Sequence, residues 1–393
     1  MRSTSPIAAL VLAASLGAVV AAAQGKGARP LDIWVVDVEG GKAALFVTPT
    51  GQSVLVDSGW PGFDGRDPDR IMAAIADAGV KQIDYMLSTH YHVDHVGGLQ
   101  ELAKRIPIQH YVDHGPTVEG PLTSLREQVQ GFWEAYGTLH GQAKRIVVRP
   151  GDRLPVGGLD WRIVTSAGDV LKTPLGGGGR PNPACTGFTP RTDKSNLRDP
   201  DDAQSVGSVI QLGEFRAIDL GDLWWTKELE MMCPSNPIGE VDVFFASSHG
   251  ADASNSLPLV HGLRPRVAVV QNGTRKGGAV EAIKTLRSSP GLEDVWQMHW
   301  SYNAGIELNS AGVYIANVDE PAAIASVLTA PAPDAGGGRG QGQGAGGRGP
   351  NPLPPHTPAF WLKISAQPDG SFTVTNSRNG FSKAYTRRSV ARR

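Results

Sequence analysis

The stretch Ser88–Gly98 reads S-T-H-Y-H-V-D-H-V-G-G. It sets four metal-binding side chains, His90, His92, Asp94 and His95, within six residues. The segment Gln82–Leu87 has the pattern of a strand leading into them, and a helix is expected over Gly97–Arg105. Alternate side chains of an extended backbone share one side, so His90 and His92 can bite one ion together. Once the chain turns helical, Asp94 and His95 point elsewhere and can serve a second ion. Imidazole and carboxylate without thiolate suit zinc, with manganese and iron also open. Gly97 and Gly98 each cost about 1 kcal/mol in a helix relative to Ala, so their presence argues for a backbone that passes close to something else.

The rest of the composition bounds the answer. A chain of 393 residues with 40% hydrophobic content can bury a sizeable core, and a net charge of −1 excludes a strongly basic nucleic-acid binder. Residues 1–23 have the layout of a bacterial-type export signal: Arg2, an Ala-rich apolar run over Ile7–Val20, and Ala21-Ala22-Ala23 before Gln24. A retained N-terminal anchor is the competing reading, although the run is short for a membrane span. The mature chain is therefore expected in the periplasm or outside the cell, with no transmembrane segment after signal removal. Two cysteines, Cys185 and Cys233, could pair in an oxidising compartment, and the sequence leaves that open.

Along the chain, Leu31–Val38, Ala43–Val47 and Ser53–Val56 read as strands joined by short turns, hence antiparallel. Asp67–Ala78 reads as a helix with Asp67 as N-cap and Pro68 in its first turn, and Leu122–Leu139 as a longer one. A second set of strands runs from Ile146 to Asn317, with helices over Leu223–Met231 and Ala279–Ser288. Two similar halves favour two packed sheets with helices outside, over residues 30–320. Leu171–Asp202 reads as a long Gly/Pro-rich loop, residues 328–358 as a flexible linker, and residues 359–386 as a β-hairpin docked on the main domain.

The motif His90-x-His92-x-Asp94-His95 resembles the signature of metallo-β-lactamase-fold hydrolases. Val36-Asp37-Val38-Glu39-Gly40-Gly41, Leu55-Val56-Asp57-Ser58-Gly59 and Ile83-Asp84 look like the ComEC-like branch, without its channel segments. The resemblance spans roughly residues 31–317 and is strongest up to Gly98. It implies an α+β fold, an αββα sandwich with two divalent ions at one edge. It also implies that Asp222, in Leu220-Gly221-Asp222, bridges the ions, although an N-cap role for the helix after it is an alternative. His249, in Ser247-Ser248-His249-Gly250, would complete the second ion, unless it is a plain loop histidine. Asp57 would orient a ligand histidine.

One family ligand is missing. The stretch Leu197–Ser208, where many members carry a further histidine for the first ion, holds Asp199, Asp201 and Asp202 but no His. His114 is the nearest substitute, as ligand or substrate contact. The histidines His110, His140, His261 and His356 lack ligand context, and core or edge packing is expected of His299.

The implied activity is that of a dinuclear metal-dependent hydrolase using a metal-bound hydroxide, with Asp94 orienting it. A phosphoester or phosphodiester is the leading substrate. A lactam, lactone or thioester is the alternative, and so is a secreted metal-binding protein without catalysis. Arg275 and Lys276, in the loop Gly273–Gly278, form the best local site for an anionic substrate; no strong nucleic-acid-binding signal is present.

Overall fold

The computed structural model describes residues 29–118, 126–141, 143–190, 201–319 and 355–388. The expected export signal, most of the linker over residues 328–358 and the last basic residues lie outside them.

The first sheet takes β1 (Leu31–Val35), β2 (Ala44–Val47), β3 (Ser53–Val56), β4 (Ile83–Leu87), β5 (Ile108–Asp113) and β6 (Lys144–Val147). The second half of the chain gives β7 (Arg153–Leu154), β8 (Asp160–Ser166), β9 (Asp169–Val170), β10 (Arg180–Pro181), β11 (Gly207–Leu212), β12 (Phe215–Asp219) and β13 (Ser235–Asn236). It continues with β14 (Val243–Phe245), β15 (Val267–Val270), β16 (Asp294–His299) and β17 (Ile315–Asn317). After the Gly/Pro-rich segment come β18 (Leu362–Ala366), β19 (Phe372–Asn376) and β20 (Ser382–Tyr385).

Two nine-stranded sheets result, in the orders β20-β19-β18-β1-β2-β3-β4-β5-β6 and β17-β16-β15-β14-β12-β11-β8-β7 with β9 on β8. The first three strands pair antiparallel, as short turns require, and β3 to β6 run parallel. The C-terminal segment is a three-stranded meander rather than a hairpin, and β18 pairs with β1 in register Leu31 opposite Ala366.

Strand alternation builds three apolar layers. Leu31, Ile33 and Val35 face the interior between the sheets, with Phe46, Val54, Trp161, Phe245 and Trp296. Trp34 and Leu45 face the other way, onto α1 (Arg66–Asp77), α3 (Leu99–Leu102) and α4 (Arg126–Leu139). The outer face of the second sheet packs on α5 (Trp225–Met232), α6 (Leu257–Leu263) and α7 (Val280–Arg287). Helix, sheet, sheet, helix is the αββα sandwich, with burial on both faces of each sheet.

Local expectations shift at helix ends. Asp67 does not cap α1: Gly65 stands at the N-cap, and the Asp67 carboxylate accepts the Trp60 N–H at 2.8 Å. The helix expected over Gly97–Arg105 is divided into α2 (Val93–Val96) and α3. A Cβ on Gly97 would fall 2.2 Å from Pro61 Cδ, and one on Gly98 2.2 Å from Ser58 O, so the two glycines let this turn press against the 58–61 loop. Cys185 and Cys233 form a disulfide. It pins the Gly/Pro-rich segment to the end of α5, beside the β10–β13 pair.

Candidate metal centre

Strand β4 ends at Leu87, the chain bends at Thr89, and His92 is extended where α2 starts. His90 Nε2 and His92 Nδ1 lie 3.2 and 3.1 Å from one oxygen, Oδ1 of Asp202. Asp94 and His95, on α2, turn to a second group. His95 Nε2 is 3.3 Å from both Asp94 Oδ2 and Asp222 Oδ1, and His249 Nε2 is 3.0 Å from Asp94 Oδ2 and 3.3 Å from Asp222 Oδ2. Within each set, His90/His92/Asp202 and Asp94/His95/Asp222/His249, one donor atom per residue lies within 4.8 Å of the others.

The chemistry of these sets fits divalent cations. His90 Nε2, Asp202 Oδ1 and Asp222 Oδ1 are buried without a hydrogen bond of acceptable direction, although donors and acceptors stand about them. Left so, such atoms would carry a desolvation cost. A cation already stands against the second set: the Lys276 ammonium contacts Asp94 Oδ2 and lies 3.2 Å from His249 Nε2. Burial works against the charge on Asp94, yet Lys276 and His95 hold its carboxyl well below the usual range. Burial likewise opposes Asp222, and His249 and His95 hold it well below. Asp202 is pushed up to about 6, burial outweighing the neighbouring His92.

The scaffold fixes the other face of the ligand rings. Asp57, fully buried and in a left-handed conformation at φ 60°, places Oδ2 2.8 Å from His95 Nδ1. It also accepts the N–H and hydroxyl of Thr89, whose Oγ1 is 3.0 Å from His90 Nδ1. His249 Nδ1 is 3.1 Å from Gln271 O. Each ring therefore turns its remaining nitrogen inward, the arrangement in which a carboxylate or carbonyl orients a ligand imidazole.

Two expectations change. His114 joins neither set: its Nε2 is 3.8 Å from Asp201 Oδ1, and its ring packs edge-on against Tyr91. The place for which His114 was considered is filled by Asp202, one residue beyond Asp201, whose carboxylate accepts the Tyr91 N–H at 2.6 Å. The signal was the acid pair just ahead of β11, inside the stretch expected to supply a histidine. Asp222 is not the N-cap of the helix after it, because that helix starts at Trp225 with Trp224 as its cap. Gly221 (φ 60°) takes the left-handed turn that swings Asp222 inward, and a Cβ there would press on Ser205 and Thr89.

Residues 37–190 match the family model described as the metallo-beta-lactamase superfamily. Over these residues the chain is similar to the metallo-beta-lactamase superfamily. Two curated relatives match over short spans. An oxidase of reduced coenzyme F420 from Methanothermobacter marburgensis is 30% identical over 121 residues, 31% of this chain and 25% of its own length. A hydroxyacylglutathione hydrolase from Idiomarina loihiensis is 28% identical over 91 residues, 23% of this chain and 27% of its own. The chain thus spans about a quarter of the length of each. Among solved structures, the diiron beta-hydroxylase CmlA from Streptomyces venezuelae is similar at TM-score 0.35 and 18% identity, covering 64% of this chain and 46% of its own. A diphosphatase of the PhnP family is similar at TM-score 0.32 and 14% identity, covering 61% and 85%.

Proposed function

We propose that this chain is a dinuclear metal-dependent hydrolase acting on a phosphoester or phosphodiester. The observation that carries the reading is the pair of buried donor sets, His90/His92/Asp202 and Asp94/His95/Asp222/His249, side by side on one motif. Bound there, two divalent ions of the zinc type, with manganese and iron as alternatives, would acidify a water and polarise the substrate. Asp222 faces the second set and lies close enough to His90 and Asp202 to act on their charges, which suits a bridging ligand. Asp94 turns its carboxylate into the space between His95 and His249, where it would orient the hydroxide as well as bind metal.

Substrate charge is argued from Lys276. Its ammonium lies over the Trp60 ring at 4.8 Å, and Gly278 N–H donates to His249 O, so the lysine is keyed to a ligand loop. With Asp94 and His249 holding a divalent ion, the Lys276 ammonium would be turned away from them and could meet an anionic oxygen of the substrate. The ComEC-like motifs, Asp37–Gly41 and Asp57–Gly59, support the same preference. Export to an oxidising compartment is consistent with the Cys185–Cys233 disulfide, and no helix among the described residues is long and apolar enough to cross a membrane.

A thioester or lactone substrate is the second reading, favoured by the matched hydroxyacylglutathione hydrolase. The matched oxidase favours a redox reaction instead. The test is purified protein loaded separately with zinc, manganese or iron, assayed on phosphodiesters, thioesters and lactones and for oxygen consumption. Phosphodiester turnover that disappears in Asp222→Asn supports the proposal. Turnover of thioesters or lactones alone, or oxygen consumption with iron alone, overturns it.

A further inference from the structure

A second concentration of metal-binding chemistry lies apart from the motif, where the connection between β1 and β2 meets the segment that precedes β18. Asp37 Oδ1 is 2.7 Å from His299 Nε2, at the end of β16. The His356 ring faces that of His299 with centroids 4.6 Å apart. His356 Nδ1 lies 3.2 Å from Glu39 Oε1, and its Nε2 lies 3.1 Å from Asp319 Oδ1. Asp37, His299 and His356 each bring a donor atom within 4.8 Å of the others. The side chains are 1%, 0% and 10% exposed.

Three observations point to a cation. His356 Nε2 is sheltered from solvent without a hydrogen bond of acceptable direction, an expensive state for a buried nitrogen. Arg70 binds the outer oxygen, Asp37 Oδ2, at 3.0 Å and Glu39 Oε1 at 3.1 Å, so it orients carboxylates while Asp37 Oδ1 stays turned inward. The charges also balance. Asp37, Glu39 and Asp319 face one guanidinium, which leaves two negative charges for a single divalent ion with both imidazoles neutral. Balancing them with protons instead would set two imidazolium rings with centroids 4.6 Å apart in a buried site, a like-charge arrangement. A cavity of about 550 Å³ lined by Asp37, Arg70, His356 and Phe360 gives an ion its approach.

We propose that Asp37, His299 and His356 hold a third divalent metal ion of the zinc type, oriented by Arg70 and flanked by Glu39 and Asp319. Its role is structural. By joining Asp37 and His299 to His356, the ion seats the approach to β18 on the core. The site shares no ligand with the proposed hydrolase centre.

The test is metal content after loading full-length protein with zinc and removing the excess, with circular dichroism to verify folding. Wild type is compared with His356→Gln and with a triple variant, His90→Ala/Asp222→Ala/His249→Ala, that disables the hydrolase centre. The expected result is one equivalent lost in His356→Gln and one equivalent kept in the triple variant. Cobalt loading of the triple variant should give a visible absorption band that adding His356→Gln removes. A folded His356→Gln protein with wild-type metal content overturns the proposal. Should His356→Gln not fold, a folded triple variant with no bound metal and no cobalt band overturns it. Either failure leaves the hydrolase centre untouched, because that centre is read from phosphodiester turnover.

Discussion

Asp202 and His114 separate most clearly at the scale of single residues. Both are buried and both lie near the motif, but only Asp202 brings an oxygen to His90 and His92. Asp202→Ala should therefore weaken metal binding by more than the ~10–100-fold typical of losing a residue that only orients a ligand. His114→Ala should leave the metal equivalents unchanged. Titration with a competing chelator reads both, and equal losses would sink the assignment. Asp57→Asn belongs to the orienting class, because it can no longer accept freely from His95 and Thr89 at once; a drop of ~10–100-fold in metal affinity is expected. Glu228 offers a pH test away from the metal. Burial, opposed by N–H groups of Ser256 and Asn255, raises its pKa from 4.5 to about 7. An acid raised on folding binds its proton more tightly in the native state, so this contribution to stability is full below about pH 4.5 and is lost as pH rises through about 7. Thermal melts from pH 5 to 8 should fall more steeply for wild type than for Glu228→Gln. Parallel slopes would mean that Glu228 is ionised throughout.

Elements were legible where periodicity was long and obscured where the chain bends at a contact. The alternation over Leu31–Val38 gave a strand, and the structure adds its faces, Leu31, Ile33 and Val35 in one apolar layer and Trp34 in the other. The break between α2 and α3 was not readable, because its cause is the 58–61 loop some forty residues earlier. Gly97 is the position to probe. A Cβ 2.2 Å from Pro61 Cδ and from Val93 O has nowhere to go, so Gly97→Ala should destabilise by roughly 1–3 kcal/mol or more, in spite of the better helix propensity of Ala. A chemical denaturation midpoint at or above that of wild type would contradict the packing.

At the scale of the whole molecule, the C-terminal meander extends the first sheet through β1, and the disulfide ties the segment before residue 191 to α5. The cysteines are 48 residues apart in sequence, and by the chain-entropy relation a cross-link over that span contributes about 4 kcal/mol. The variant Cys185→Ser/Cys233→Ser should lose stability of that order in urea under oxidising conditions. A dithiol should reproduce the loss in wild type and leave the variant unaffected; an identical midpoint for wild type with and without dithiol would show the cross-link to be energetically idle.

The sequence alone determined the local chemistry: a strand running into His90-x-His92-x-Asp94-His95, glycines behind it, and a two-layered alternation of apolar residues. Those are properties of neighbours in the chain, set by the periods of strand and helix. Only the tertiary structure decided the long-range members. Asp202 replaced the missing histidine, Lys276 came to stand against Asp94, and His356 joined Asp37 and His299 across some three hundred residues. None of these residues is marked by spacing. Each is brought into place by sheet pairing and by loops fixed through buried contacts, and such meetings leave no period in the sequence for a reader to find.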